Sequence, residues 1–364
     1  MSMKRRHFLS LMALTPFSSW AMGLLNSLQP AKVLSMIKHS SPIDLHWPTQ
    51  EPFLFCAHHL DRYPAGNSNL GLDKKHFSGR QMGSDFEEKD GFRLYHGAEI
   101  PGFPVHPHRG FETITIVRRG YADHADSLGA AGRYGEGDVQ WMTAGSGVQH
   151  SEMFPLLHKD KENTLELFQI WLNLPKKNKM VPADFKMLWA NKIPRFKKDK
   201  VEISIISGEY EDVKFFEAPK NSWAADPANQ VNLMIVKMQK EGEFNYPAKS
   251  GVQRSLYFFN GSGANLNGQS IQGKRALFVD PSVALTVKAS ADCEFMIMEA
   301  KPIGEPVVQH GPFVMNTREE IMQTIRDYQQ TEFGGWKWGR VDMIHGDKIE
   351  RFAKYPDGRV EKPS

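Results

Sequence analysis

The chain has 364 residues with 40% hydrophobic and 24% charged positions, enough for two ordinary globular domains, each with its own core. Of its 45 basic residues, Lys4, Arg5 and Arg6 sit at the extreme N-terminus; without them 42 basic residues face 42 acidic ones, a balance with no electrostatic footprint for nucleic acid or an anionic membrane. Two cysteines, Cys56 and Cys293, are too few for a disulfide framework.

The first acidic residue is Asp44, and the stretch 8–31 is uncharged. The basic trio, the short apolar core from Phe8 to Leu14 and Ser19-Trp20-Ala21 together have the shape of an export signal over 1–30, too short in its apolar part for a spanning helix. Lys4-Arg5-Arg6-His7-Phe8-Leu9 is similar to the twin-arginine export motif, which makes the periplasm the expected compartment and the twin-arginine machinery an expected partner. A cytoplasmic start or a membrane anchor is the alternative. From Asp44 to Ala57 one buried strand is expected, with Cys56 as a buried free thiol; a single bridge to Cys293 is the other option in an oxidising compartment. The segment 61–97 is rich in Gly, Asn, Lys and Asp and reads as a loop insertion, with His76 and His96 on its solvated surface.

Strand signals dominate from Phe92 onward. Phe111 to Val117, Val139 to Met142, Val148 to Glu152 and Leu165 to Leu172 are short β-branched or apolar runs separated by glycine-rich turns, the pattern of an antiparallel sandwich or barrel. In an extended strand His106 and His108 project to one side, as do His150 and Glu152. Two such strands side by side converge three imidazoles and a carboxylate, a donor set for a transition metal. One pair of this kind is also what scattered polar residues give; two pairs flanking a glycine-rich hairpin are a stronger signal. Glu112 lies four residues past His108, on the same face if the strand is unbroken, and Gln140 lies on the hairpin before the second pair; both are candidate supports of the ligands. His124, in Ala122-Asp123-His124-Ala125-Asp126, reads as an exposed loop histidine or one at a pocket mouth.

Lys176-Lys177-Asn178-Lys179 reads as a solvated linker, after which strands resume near 201–206, 230–238, 255–259, 276–279 and 293–299, with Asn260-Gly261 and Asn267-Gly268 as hairpin turns. No histidine occurs between His158 and His310, so the second half cannot build a histidine cluster. Thr317-Arg318-Glu319-Glu320 is a capping box opening a short helix with Ile321, Ile325 and Tyr328 along one face, stopped at Gly334-Gly335. A polar tail follows over 336–364.

His106-Pro107-His108-Arg109-Gly110-Phe111-Glu112-Thr113, Asp138-Val139-Gln140-Trp141-Met142-Thr143-Ala144-Gly145 and His150-Ser151-Glu152-Met153 together resemble the pirin family, as do Gln169-Ile170-Trp171-Leu172-Asn173 and His310-Gly311-Pro312-Phe313. The resemblance runs from about Glu51 to Gly334. It implies an all-β fold of two tandem cupin (jelly-roll-like) β-barrel domains with a short C-terminal helix, with a metal-binding domain over 44–178 and a metal-free one over 179–335. It implies one divalent transition metal, iron first, with manganese, nickel, copper, cobalt or zinc as alternatives, held by His106, His108, His150 and Glu152 in a monomeric protein. In pirins the ligand carboxylate matches Glu152, which makes Glu112 a support. Quercetin 2,3-dioxygenase activity in some bacterial pirins implies a small aromatic substrate, dioxygen as co-reactant and Glu152 as catalytic base. Other pirins imply a metal-binding or redox-sensing module acting through a protein partner, and a metal that only stabilises the barrel is the third option. The insertion 61–97, the N-terminal signal and the tail depart from compact pirins, and the insertion is expected to reshape access to the metal.

Overall fold

A computed structural model describes residues 36–364; the expected export signal lies outside the described residues. The described chain is almost entirely antiparallel sheet, with one α-helix, Arg318–Thr331. The expected two tandem jelly-roll-like barrels are present. The first pairs a six-stranded sheet, in the order Asp184–Leu188, Val139–Thr143, Phe111–Arg119, Asn163–Asn173, Phe53–Tyr63 and His46–Trp47, with a second six-stranded sheet. That sheet runs Val360–Glu361, Phe352–Lys354, Ala131–Gly135, Tyr121–Asp126, Val148–Met153 and Gly102–His108. The second barrel pairs an eight-stranded sheet with a four-stranded one.

Strand alternation explains how the barrels meet. On Phe111–Arg119 and Asn163–Asn173, Ile114, Ile116, Phe168 and Ile170 face one way, while Val117, Leu165 and Leu167 face the other. The first set joins Leu233, Tyr257 and Met296 of the eight-stranded sheet in a core shared by both barrels. The second set, with Tyr134 and Met142, fills the first barrel. Trp47 stacks on Tyr257 across the shared core with ring centroids 5.0 Å apart, worth about 1 kcal/mol beyond the area it buries.

Three segments cross the boundaries expected from sequence. Ile37–Pro42 pairs with Arg275–Val279 of the second barrel, Asp184–Leu188 pairs with Val139–Thr143 of the first, and the tail adds Phe352–Lys354 to Ala131–Gly135. Lys179 is a correction: rather than solvated it is buried, its Nζ donating to Asn173 Oδ1 at 2.6 Å and to the carbonyls of Gly110 at 2.7 Å and Val314 at 3.2 Å. Three acceptors meeting at one point outweigh what hydration would give a single lysine in a basic run. Asn267-Gly268 makes its two-residue turn between Ala264–Leu266 and Gln269–Ile271, whereas Asn260-Gly261 lies at the bulged end of the strand Gln253–Gly261. Cys56 and Cys293 are free and buried in different cores. The helix begins at Thr317 with the full capping box, Glu320 answering, and packs Ile321 with Phe313, Met315 and Phe333.

Candidate metal centre

Gly102–His108 lies antiparallel to Val148–Met153, and the register sets His106 directly opposite His150. Ring centroids are 4.4 Å apart for His106–His150, 4.8 Å for His106–His108 and 4.9 Å for His108–His150. One nitrogen from each ring falls within 4.8 Å of the other two. His106 Nδ1 donates to the Pro104 carbonyl at 2.9 Å, which leaves Nε2 as the lone-pair nitrogen. His108 Nδ1 and both ring nitrogens of His150 are buried without a hydrogen-bond partner. Burial lowers the pKa of all three, His106 to about 4 and the other two well below the usual value, so each is the neutral, ligating form at pH 7. Buried imidazoles left unpaired each cost about 1–3 kcal/mol. A divalent transition metal would satisfy all three, and the donor set fits one.

Glu152, two residues beyond His150, brings Oε2 to 3.9 Å from His150 Nε2. Its Oε1 accepts from Thr115 Oγ1 at 2.9 Å and its Oε2 from Gln169 Nε2 at 2.7 Å, while Tyr134 OH stands 3.4 Å from Oε1. Burial still pushes its pKa up against those donors and the nearby His124. Gln140 reaches Glu152 only through Tyr134, whose hydroxyl is 3.4 Å from Gln140 Oε1.

Glu112 is placed elsewhere. Gly110, at φ +84°, turns the chain between His108 and Phe111, so the strand carrying the histidines is broken and the four-residue spacing no longer keeps one face. Glu112 Oε1 accepts from Thr143 Oγ1 at 2.6 Å and Oε2 from Ser222 Oγ at 2.5 Å, against the second barrel. Burial there raises its pKa to about 7 against the Ser222 and Thr143 hydroxyl donors. His124 also differs from its sequence reading. Tyr121–Asp126 is a strand, and His124 is fully buried with its ring 5.4 Å from that of His150.

Thr115, Gln169 and Tyr134 escaped the sequence reading. Gln140, Thr115 and Gln169 stand side by side on three adjacent strands, forming a polar row across the sheet. Each is visible in its own strand, but their adjacency comes only with the register.

A cavity of about 500 Å³ opens on His106, His108 and Glu152. Phe55, Trp171, Phe103 and Phe154 form much of its wall, and Phe86 and His96 come to it from the segment 61–97. His96 is exposed as expected but sits at this mouth, its ring 4.9 Å from that of Phe86 and 5.7 Å from that of Phe103. His76 lies away from it, edge-on to Phe92. The segment is anchored rather than loose: Asp61, buried, accepts from Tyr95 OH at 2.5 Å and from the Arg93 backbone at 2.9 Å. Arg80 reaches Asp85 at 2.8 Å and lies over the Phe92 ring.

The family model described as Pirin matches residues 67–172, and the one described as Pirin C-terminal cupin domain matches 233–334. A Pseudomonas aeruginosa protein provisionally named as a quercetin 2,3-dioxygenase is 35% identical over 234 residues, 63% of this chain and 79% of its own. A pirin-like protein of Solanum lycopersicum is 37% identical over 232 residues, 63% of this chain and 75% of its own. A crystal structure named quercetin 2,3-dioxygenase from Acinetobacter baumannii superposes with a TM-score of 0.66 at 25% identity, covering 82% of this chain and 98% of that one.

Proposed function

This chain belongs to the pirin family, and we propose on that premise that its first barrel is a metal-dependent dioxygenase opening a quercetin-type flavonol or a related catecholic ring. The observation that carries this reading is the convergence of three neutral imidazoles, with His106, His108 and Glu152 lining an aromatic-walled cavity of about 500 Å³, a volume suited to a small aromatic molecule. The names of the Pseudomonas and Acinetobacter proteins support the same chemistry. A divalent metal, iron first, held by His106, His108, His150 and Glu152 would supply Lewis acidity and one-electron chemistry with dioxygen.

The chain's own residues supply the rest. Glu152, with its carboxylate basicity raised by burial, accepts the proton of a substrate hydroxyl at one of its oxygens. Thr115 and Gln169 hold that carboxylate in one rotamer while leaving it on the cavity wall. Phe55, Trp171 and Phe103 offer flat apolar surface to an aromatic ring and exclude water from the reacting face. Iron- or manganese-loaded protein should consume dioxygen and bleach the flavonol absorbance when quercetin is added, and His106→Ala with His108→Ala should abolish both. Absence of uptake with quercetin and with every member of a catechol panel would falsify the reading.

We further propose that the protein is exported in folded form, on the strength of Lys4-Arg5-Arg6-His7-Phe8-Leu9 and the short apolar core behind it. Sequencing the mature N-terminus should place it near Met22 in a periplasmic fraction. A full-length N-terminus confined to the cytoplasm rejects export and keeps a cytoplasmic partner-binding role open.

A further inference from the structure

The metal face of the cavity uses His106, His108 and Glu152, but three further imidazoles on the same cavity have no part in it: His46, exposed beside Phe55, and His59 and His96, the two nearest Phe103. His59 sits on Phe53–Tyr63, only 4% exposed, its ring edge-on to Tyr95 at 4.7 Å and to Phe103 at 5.9 Å. Its Nδ1 is buried with no hydrogen-bond partner, although the ring lines the cavity. Burial lowers its pKa to about 3, so at pH 7 the ring is neutral, and Nε2 rather than the enclosed Nδ1 is the nitrogen it offers a ligand, as donor or acceptor by tautomer. His96 is the second. Its Nδ1 donates to the Gly83 carbonyl at 2.8 Å, leaving Nε2 as an acceptor at the mouth. The two rings lie at nearly equal distance from Phe103, at 5.9 Å and 5.7 Å.

The charge of the wall narrows what these groups face. No lysine or arginine is among the described residues lining the cavity, and Glu152 is its only carboxylate. A substrate carboxylate remote from the metal face would be desolvated there without a cation to meet it, which is costly. A neutral ring bearing hydroxyls meets apolar surface for its faces and uncharged acceptors and donors for its edge.

We propose that His59 and His96 form a second subsite of the cavity, flanking Phe103, that hydrogen-bonds hydroxyl groups on the ring of a neutral aromatic substrate remote from its reacting end. This deepens the dioxygenase reading and rests on it for the identity of the substrate. His96 arrives with the segment 61–97, so that segment contributes directly to selectivity as well as to the shape of the mouth.

The test compares two flavonols that share their chelating end, quercetin, with two hydroxyls on its pendant ring, and galangin, with none. Binding is followed by fluorescence titration of the metal-loaded full chain under anaerobic conditions. Wild type should prefer quercetin by roughly tenfold, the value of one or two net hydrogen bonds. His59→Phe and His96→Phe should each shrink that ratio, the double variant should bring it near unity, and His59→Gln should keep part of it. Metal content and thermal midpoint identical to wild type establish that the fold is intact. A wild type indifferent to the pendant hydroxyls, or variants that retain the full preference, overturns the subsite and leaves the dioxygenase reading standing. The preference present in wild type and lost in the variants, but with no oxygen uptake from either flavonol or from the catechol panel, keeps the subsite and overturns the dioxygenase reading instead. Failure of both flavonols to bind overturns both.

Discussion

Glu152 depends on neighbours supplied by other strands, and their removal should be felt at the metal. In Gln169→Leu the donor at 2.7 Å from Glu152 Oε2 is gone, so the carboxylate loses part of its orientation and titrates higher. Metal affinity, measured by competition with a chelator, should fall by roughly 10- to 100-fold, as is usual when a ligand's hydrogen-bond partner is lost. An unchanged affinity would mean that Glu152 is held by Thr115 and Tyr134 alone. Glu112 leads to a different prediction, because it lies against the second barrel and has its pKa raised to about 7, chiefly by burial. A raised carboxyl pKa means that the native state holds the proton more tightly than the unfolded chain. Its stabilising contribution is therefore full below the unfolded value of about 4.5 and is lost as pH rises through 7. Glu112→Gln should flatten that part of the pH–stability profile, gaining on the order of 2–3 kcal/mol over wild type at pH 8 and little at pH 4. A profile parallel to wild type between these limits would show that Glu112 is not the group responsible. The clustering of His106, His108 and His150, with Glu152 beside His150, could be read from the sequence because each pair sits within one strand, where period two is a local rule. Thr115, Gln169 and the true place of Glu112 could not, since they depend on which strands are neighbours and on a break at a single glycine.

The break at Gly110 is an element-level device. Its φ of +84° suits glycine, and a Cβ there would stand 2.0 Å from the Val314 carbonyl oxygen. Around it Arg109 donates to the Ser146 carbonyl and pairs with Asp327 of the helix at 2.7 Å, while Lys179 ties Gly110 to Val314. The end of the histidine strand is thus clasped by the segment 308–334. Gly129 offers a control: its φ is +93°, but a methyl group there would have nothing within 4 Å, so alanine carries backbone strain alone. Gly129→Ala should cost about 1–2 kcal/mol. Gly110→Ala should cost clearly more and should also weaken metal retention, because relief requires moving either Val314 or His108. Equal thermal midpoints for the two variants would show that the clasp yields freely. At this scale the long apolar strands were legible from composition. Tyr121–Asp126 was not: its alanines, aspartates and histidine look like loop, and such a strand is tolerated inside because Asp123 pairs with the buried Arg133 at 2.6 Å and Asp126 accepts from the Leu128 and Ala130 backbone. The segment 61–97 is mostly loop, as its composition indicates, but its anchoring from within by Asp61 and Arg80 is not visible in composition.

The two barrels share one core but not one chemistry. The strand pair of the second barrel that corresponds to the histidine strands by its place in the sheet, Glu243–Tyr246 with Leu285–Ala289, carries no histidine. Beside it the buried Arg254 pairs with Glu299, which also accepts from Asn232 at 3.0 Å and Tyr246 at 3.2 Å. A protein cation thus occupies that mouth, and elemental analysis should find one metal per chain, with two contradicting this division of roles. The tail, whose short strands are too brief to stand out in a sequence, completes the barrel that does bear histidines. The Val105 backbone N–H donates to the Val341 carbonyl at 2.9 Å, one residue before His106, on the edge strand of its sheet. His345 Nε2 donates to the His124 carbonyl at 2.7 Å, Trp338 Nε1 to that of Asp126 at 2.8 Å, and Arg133 to the carbonyls of Gly346 and Lys348. Phe352–Lys354 then extends the same sheet. An edge strand with one face on a metal and its outer backbone unpaired would fray, so the tail should slow metal loss. A chain ended after Gly335 should release its metal about tenfold faster into excess chelator and melt at a lower temperature. Because such a truncation removes much at once, Trp338→Ala combined with His345→Ala provides a milder cut that leaves the added strand in place and should give a smaller acceleration in the same direction. Release at the full-length rate from both proteins would show that the sheet edge holds the histidines without help from the tail.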